Sequence, residues 1–193
     1  MIQHRWPPLD EPFIWLTRVG TAGAVWLALA LVLAVAWRRP LLFVAVGLAD
    51  AVADLSAYGL KVATGIERPA DRDPSVALTS VPHDGSFPSG HTATSFACAT
   101  VLAFAVPRAA PAAYLLALAI GFSRIYVGAH WVFDVLGGIV LGVVVGMILS
   151  PLARGRRRSA ASGRAEQRPA SGLRSLLRSG AARPRSGRSR RSG

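Results

Sequence analysis

Three short polar clusters interrupt the long hydrophobic runs of this chain, and their side chains are of the types that act on a phosphate group. The clusters are Lys61 with Arg68-Pro69, Pro88-Ser89-Gly90-His91, and Ser123-Arg124 with His130 and Asp134. Ionisable groups in or beside lipid are costly, so they are functional candidates by default. Together they offer positive charge for a phosphate, a nucleophile, a proton donor and a carboxylate that can orient a histidine.

The first cluster pairs two cations. Lys61 and Arg68 are seven residues apart, which is about two turns if the segment is helical. Positioned cations stabilise the negative oxygens of a phosphoryl group, and arginine can grip two oxygens where lysine acts as a point charge. Basic residues near the end of a membrane helix also extend to the lipid headgroups without any further role. Taken alone, the pair is compatible with both interpretations.

The second cluster has the composition of a helix start. Pro88 suits the beginning of a helix, and Ser89 can cap it. Gly90 allows a ligand to approach the backbone, where the free amides of a helix N-terminus bind anions. His91 then lies in the first turn and can act as a general acid. The alternative is a plain turn with an interfacial histidine.

The third cluster places a histidine and a carboxylate on one helix face. His130 and Asp134 are four residues apart, a spacing at which helical side chains meet. Asp134 can fix the tautomer of the imidazole and support positive charge on it, which leaves the other ring nitrogen free to attack phosphorus. A structural His–Asp pair that joins two helices is the alternative.

Five hydrophobic runs must position these clusters: 17–37, 40–64, 89–106, 112–125 and 130–149. A helix needs about 20 apolar residues to span a bilayer, and helices are expected because an open strand cannot satisfy its backbone in lipid. Ahead of the first run, apolar residues alternate with polar ones between Trp6 and Trp15, as in an interfacial helix. The sequence predicts an all-α, polytopic membrane helix bundle with about five transmembrane helices and an N-terminal interfacial helix.

The net charge of the chain is concentrated at one end. The formal net charge is +12, yet residues 1–153 carry equal numbers of basic and acidic residues, and the excess lies in 154–193. We therefore expect a membrane-embedded domain at 1–153 and a disordered, Arg-rich tail at 154–193. This tail is expected to bind anionic lipid at the cytoplasmic surface. Specific nucleic-acid binding is the weaker alternative.

Arginines in two short turns set the expected orientation. Arg38, Arg39 and Arg108 fall on the same side of a five-helix bundle as the tail, and the positive-inside rule makes that side cytoplasmic. All three polar clusters then fall at the extracytoplasmic face. The polar segment 70–87, which links the first two clusters, either shapes the choice of lipid headgroup or is a solvated loop.

Taken together, the clusters resemble the signature of the type 2 phosphatidic acid phosphatase family, the membrane branch related to vanadium haloperoxidases. The pattern is Lys-x6-Arg-Pro, Pro-Ser-Gly-His and Ser-Arg-x5-His-x3-Asp, and every position is matched in order and spacing between Lys61 and Asp134. The resemblance implies a helical membrane fold and hydrolysis of lipid phosphates without a metal or other cofactor. Members of the family commonly have six spanning helices, and the additional one would be N-terminal.

The resemblance also implies a role for each residue. His130 would be the nucleophile that forms a phosphohistidine, and Asp134 would orient it. His91 would protonate the leaving group and later help to activate water. The phosphate would be bound by three cations and by hydrogen bonds from the second cluster; these residues are Lys61, Arg68, Arg124, Ser89 and Gly90.

These inferences predict an enzyme of the bacterial cytoplasmic membrane that hydrolyses a lipid phosphate or diphosphate at the extracytoplasmic face. Undecaprenyl diphosphate is the expected substrate, by analogy with other small members. Phosphatidylglycerol phosphate, phosphatidate and polyprenyl-linked sugar phosphates are the alternatives. A non-catalytic membrane protein that binds lipid phosphates is a competing hypothesis. The presence of both His91 and His130 argues against it, because binding alone would need neither a nucleophile nor an acid.

Overall fold

Helices make up all the regular structure of the described part of the chain. The computed structural model describes residues 6–153, and the Arg-rich segment 154–193, with its expected lipid contacts, lies outside the described residues. The helices are α1 Asp10–Val19, α2 Ala24–Ala36, α3 Pro40–Thr64, α4 Pro69–Arg72, α5 Gly90–Ala105, α6 Ala110–Tyr126 and α7 Val132–Ala153. The predicted all-α class is confirmed.

Three continuous segments are long and apolar enough to cross a membrane by length and composition: Pro40–Arg72, Pro107–Tyr126 and Val132–Ala153. Large apolar side chains cover their outer faces, including Leu55 at 71% exposure and Phe133 at 77%. In water such a surface would mark an interaction site. In a multi-pass membrane protein, this apolar surface faces the hydrocarbon core of the bilayer.

The first predicted span is broken. The sequence suggested one run over 17–37, but α1 continues through Val19, and the chain bends before α2 begins at Ala24. The bent pair counts as one further span only if both pieces are taken together. Gly23 lies at the bend with φ +64°, and a Cβ there would collide with the Asp50 carboxylate. An α-helix does not continue through a residue with positive φ, which explains why the run over 17–37 does not form one continuous helix.

α5 is the central helix of the bundle. Twelve of its 16 residues are buried. At a rise of about 1.5 Å per residue it is about 24 Å long, shorter than the hydrocarbon core of a typical bilayer. Because its neighbours are α3, α6 and α7, it can carry the buried hydroxyls of Thr92, Ser95 and Thr100. Its position places the polar second cluster, at its N-terminus, between the other helix ends.

α7 packs closely on α5 through a face of glycines. A Cβ added to Gly138, Gly142 or Gly146 would lie 2.3–2.7 Å from a carbonyl oxygen of α5 or of its N-cap residue. Small residues four apart let two membrane helices approach in this way. The close approach also allows the Ser89 amide to donate to the Asp134 carbonyl oxygen at 2.9 Å. The second and third clusters are thus joined through the backbone.

Replacing Gly142 by alanine tests this packing. Its Cβ would lie 2.3 Å from the Ala93 carbonyl oxygen, and overpacking of this kind costs about 1–3 kcal/mol. We expect a lower midpoint of thermal unfolding in detergent. The matched control is Gly59→Ala on α3, where nothing lies within 4 Å of the added Cβ, so its midpoint should be unchanged or slightly higher. Equal midpoints for both variants would contradict the packing argument.

Candidate active site

The structure places every residue of the three predicted clusters at one end of the bundle. Each is held by a helix end or by the segment next to one. Lys61 is in the last turn of α3, and Arg68 is the N-cap residue of α4. Ser89 is the N-cap residue of α5, which begins with Gly90 and His91. Arg124 is in the last turn of α6, His130 lies just before α7, and Asp134 lies in its first turn. Helix ends are where side chains can reach one another across a bundle, so the clusters meet although they are far apart in sequence.

His130 is buried, at 2% exposure, and both of its ring nitrogens have partners. Nδ1 lies 3.3 Å from Asp134 Oδ2, and Nε2 lies 3.1 Å from Arg68 Nη1. Because a guanidinium only donates, Nε2 must be the acceptor and Nδ1 must carry the proton. Burial lowers the pKa of His130 to about 4, with Arg68 and Arg124 adding to this effect and Asp134 opposing it. The ring is therefore neutral at neutral pH, with its lone pair on Nε2.

The Asp134 carboxylate is fixed by two donors besides His130. Its Oδ2 accepts from the Trp131 backbone N–H at 2.7 Å and from the Ser86 hydroxyl. Ser86 is fully buried, and its hydroxyl also lies 3.5 Å from His130 Nδ1. Sequence reasoning missed Ser86, because a serine in a polar segment carries no spacing signal.

The Arg68 side chain is 1% exposed and fully engaged by the protein. Nε donates to the Asp84 carbonyl oxygen at 3.1 Å, and Nη1 donates to the Ala129 carbonyl oxygen at 3.0 Å and to His130. Nη2 donates to the Asp84 carboxylate and, at 3.4 Å, to the Gly85 carbonyl oxygen. Every N–H of the guanidinium thus has a protein acceptor. Arg68 thus joins the segment around Asp84 and Gly85 to His130.

Asp84 bridges the two cations of the first cluster. One carboxylate oxygen accepts from Lys61 Nζ at 2.9 Å and the other from Arg68. Asp84 is 33% exposed, whereas Lys61 is 12% exposed. Partial burial raises the pKa of the Asp84 carboxyl, but the hydrogen bonds and charges of Lys61 and Arg68 outweigh this effect, so the pKa lies below its ordinary value. The carboxyl is therefore ionised at neutral pH.

Arg124 is held by the third cluster and by α1. Its backbone carbonyl accepts from the amides of Ala129 and His130. Its Nη1 donates to the Thr17 hydroxyl at 3.0 Å, and Thr17 also lies 2.9 Å from the Ser123 hydroxyl. Arg124 Nε is buried and has no partner among the described residues. Unlike Arg68, Arg124 keeps a donor available to a ligand.

His91 opens on a cavity of about 390 Å³ that it shares with Arg124. Its Nε2 lies 3.4 Å from the Thr21 hydroxyl, in the turn after α1. His91 is within electrostatic range of His130 and of the three cations of the site. The site thus has two histidines, and only His91 lines this cavity.

The described residues contain no group of three or more His, Cys, Asp or Glu side chains that would suit a metal ion. The exposed His83 lies 3.5 Å from Asp71 and has no contact with His91 or His130 among the described residues. What the arrangement offers instead is a neutral imidazole backed by a carboxylate and surrounded by cations. These groups suit attack on a phosphorus atom and stabilisation of the charge that develops there.

Comparison with curated proteins finds phosphatases, several of which are named for lipid substrates. The chain is 33% identical over 146 residues to the decaprenylphosphoryl-5-phosphoribose phosphatase of Mycobacterium tuberculosis, a match that covers 75% of this chain and 80% of that protein. It is 38% identical over 72 residues to the undecaprenyl-diphosphatase BcrC of Bacillus subtilis, covering 36% of this chain and 37% of the relative. The lipid A 1-phosphatase of Porphyromonas gingivalis is 46% identical over 65 residues, which is only 15% of its length.

Solved structures of the same kind share the fold. A transmembrane PAP2 type phosphatidylglycerolphosphate phosphatase from Bacillus subtilis matches with a TM-score of 0.68 at 25% identity, over 81% of this chain and 82% of that one. Aquifex aeolicus LpxE matches with a TM-score of 0.64 at 31% identity, over 76% of this chain and 88% of that one. The family model described as the PAP2 superfamily matches residues 23–158. The resemblance inferred from the three motifs is confirmed, and the chain belongs to the PAP2 superfamily.

Proposed function

We propose that the protein is a membrane phosphatase that removes a terminal phosphate from a lipid through a phosphohistidine intermediate. The observation that carries the proposal is the buried His130, with Nδ1 held by Asp134 and Nε2 turned toward Arg68. A structural His–Asp pair does not require cations around the free nitrogen, whereas phosphoryl transfer does.

The reaction has two steps. The lone pair of His130 Nε2 forms a bond to phosphorus while the bond from phosphorus to the leaving oxygen breaks, and His91 gives that oxygen a proton. A bound phosphate brings the negative charge that favours the protonated imidazole of His91. In the second step, His91 takes a proton from water, the water oxygen bonds to phosphorus, and the P–N bond breaks. Inorganic phosphate leaves, and both histidines return to their starting states.

The remaining predicted residues bind the transferring group in this proposal. Lys61, Arg68 and Arg124 compensate its negative charge, and Ser89 and Gly90 hydrogen-bond to its oxygens at the start of α5. Arg124 supports this assignment best, since it is buried and its Nε has no partner in the described part of the chain.

The substrate class that we propose is a polyprenyl-linked lipid phosphate. Two relatives support it, and each favours a different polyprenyl substrate. The BcrC match favours undecaprenyl diphosphate, while the phosphoribose phosphatase matches over three quarters of the chain and favours a sugar phosphate on a polyprenyl carrier. Both substrates lose a terminal phosphate and leave a phosphate-bearing polyprenyl product.

We also propose that the site faces away from the cytoplasm. The two basic turns lie together, since Arg39 and Arg108 line one cavity at the far ends of α3 and α5 from Lys61 and Ser89. The positive-inside rule then favours a cytoplasmic position for these turns and an extracytoplasmic site.

His130→Ala tests the mechanism. Loss of the attacking nitrogen should reduce phosphate release from a polyprenyl lipid phosphate in detergent by at least about 10³-fold. The acid limb of kcat/KM should lie near pH 4, because the pKa of His130 is about 4 and the ring becomes charged below it. Gly59→Ala, where nothing lies within 4 Å of the added Cβ, should retain wild-type rates. Undiminished release by His130→Ala would exclude this nucleophile, and no release by the wild type from any of the candidate lipids would exclude the phosphatase.

Ser75→Cys tests the orientation. Ser75 is exposed in the segment on the site side, and Arg108 is exposed in a turn at the opposite end. An impermeant thiol reagent added to intact cells should label Ser75→Cys but not Arg108→Cys, and lysis should expose both. The native Cys98 is buried and should not contribute. The reverse labelling pattern would place the site in the cytoplasm.

A further inference from the structure

We infer that the cavity beside His91 holds the leaving group, and that its chemistry suits a phosphorylated sugar carried on a polyprenyl phosphate. The inference rests on the proposed function and narrows its substrate. The cavity lies between α1, the turn that follows it, and the segment around Thr79 and Ser80. Its volume, about 390 Å³, is within the range of small-molecule sites.

The geometry of phosphoryl transfer assigns this cavity to the leaving group. The attacking and leaving oxygens or nitrogens lie roughly in line on opposite sides of phosphorus. His91, the proposed acid, lines the cavity together with Arg124, whereas His130, the proposed nucleophile, does not. The oxygen that His91 protonates therefore lies at the inner end of the cavity. Whatever that oxygen is attached to extends outward through it.

The lining of the cavity distinguishes between leaving groups. Besides Arg124, it offers a second arginine, Arg18, together with the Glu11 carboxylate and the hydroxyls of Thr21, Thr79 and Ser80. Arginine suits the anionic phosphodiester between a sugar and a polyprenyl chain. A carboxylate and several hydroxyls suit sugar hydroxyls, which donate and accept hydrogen bonds. A simple diphosphate would place its second phosphate in a cavity that also holds the Glu11 carboxylate, and it has no hydroxyl groups to donate to that carboxylate.

The position of α1 supports a role in substrate choice. Glu11 and Arg18 belong to α1, which lies before residue 23, where the family match begins. Five of the eleven described residues that line the cavity thus lie before the part of the chain that matches the family. Thr17 ties α1 to Arg124, so the segment is held against the site.

The test uses three substrates with the full-length protein in detergent: a polyprenyl-phosphoryl pentose phosphate, a polyprenyl diphosphate and phosphatidate. Glu11→Gln and Arg18→Ala should each raise KM for the pentose phosphate about tenfold, corresponding to about 1.4 kcal/mol. The KM for phosphatidate should change by less than about twofold. Arg108→Ala, at the far end of the bundle, should leave the KM values for all three substrates unchanged.

The outcomes separate this inference from the proposed function. Equal effects of Glu11→Gln and Arg18→Ala on all three substrates, or no effect on any, would overturn the sugar site while leaving the phosphatase in place. A wild-type preference for the diphosphate over the pentose phosphate in kcat/KM would also overturn it. Failure of the wild type to release phosphate from any of the three would overturn both proposals.

A second inference follows from an independent observation at the first cluster. We propose that Asp84 occupies the position of a substrate phosphate between Lys61 and Arg68 and must be displaced before the phosphate binds. Its two carboxylate oxygens each pair with one cation, as two oxygens of a phosphate would. At 33% exposure it is the accessible member of this group, so it can move outward.

The saturation of Arg68 makes the exchange necessary. Its donors are all taken by acceptors of the protein, and Nη1 also covers the His130 Nε2 lone pair. A phosphate can reach Arg68 only by replacing one of these acceptors. Attack by His130 Nε2 releases only Nη1, and the Ala129 carbonyl oxygen belongs to a buried residue. A phosphate that contacts both Lys61 and Arg68 Nη2 must take the place of the Asp84 carboxylate, which is partly exposed. Asp84 is therefore the acceptor that a phosphate replaces.

Asp84→Asn tests this exchange, because it keeps the size of the side chain and removes its charge. Inorganic phosphate should bind Asp84→Asn about tenfold more tightly than the wild type, measured as competitive inhibition and by calorimetric titration, and KM should fall with it. Asp73→Asn, on the same segment but paired only with Ser75 in the contacts described, should match the wild type. If Asp84 instead only positions the cations, Asp84→Asn will bind phosphate equally or more weakly and lose kcat, and either result would overturn the proposal. The titration requires no turnover, so it is decisive for a folded but inactive variant as well.

Discussion

The backbone contact between α5 and α7 is the constraint on which the rest of the site depends. Three glycines on α7 remove the side chains that would hold the helices apart, and the Ser89 amide can then donate to the Asp134 carbonyl oxygen. This single bond joins the helix that carries the proposed acid to the helix that carries the carboxylate behind the proposed nucleophile. The separation between the start of α5 and the start of α7 therefore follows from how closely these two helices approach.

Backbone carbonyl oxygens compensate the buried positive charge of Arg68. Carbonyl oxygens of residues 84, 85 and 129 surround the Arg68 guanidinium, and an uncompensated cation at this depth would be costly. The same guanidinium orients His130, so charge compensation and alignment of the nucleophile are one arrangement. Arg124 differs, since part of its hydrogen-bonding capacity is left unused. Every N–H of Arg68 thus has a protein acceptor, whereas Arg124 Nε has none among the described residues.

Most of the fold and of the motif residues could be predicted from the sequence, for a physical reason. Long apolar runs require helices in lipid, and charged residues at the ends of those runs must meet at a membrane face. Ser86, Thr17 and the contacts of Asp84 could not be found in this way, since these contacts join residues 16 to 107 positions apart and depend on how irregular segments fold. The break before α2 was also missed, because a glycine within an apolar run looks the same whether the helix continues or bends.

The bend between α1 and α2 has a consequence for how such a protein can diverge. It makes α1 a separate piece, attached to the site through Thr17 and lying outside the region that matches the family. Sequence changes in α1 can therefore remodel the entrance while α3, α5, α6 and α7 keep their packing. If α1 lines the leaving-group cavity as proposed, a chimera that exchanges α1 between two members of the family would exchange recognition without rebuilding the chemistry. The sequence of α1 can thus change independently of the helices that hold the proposed catalytic residues.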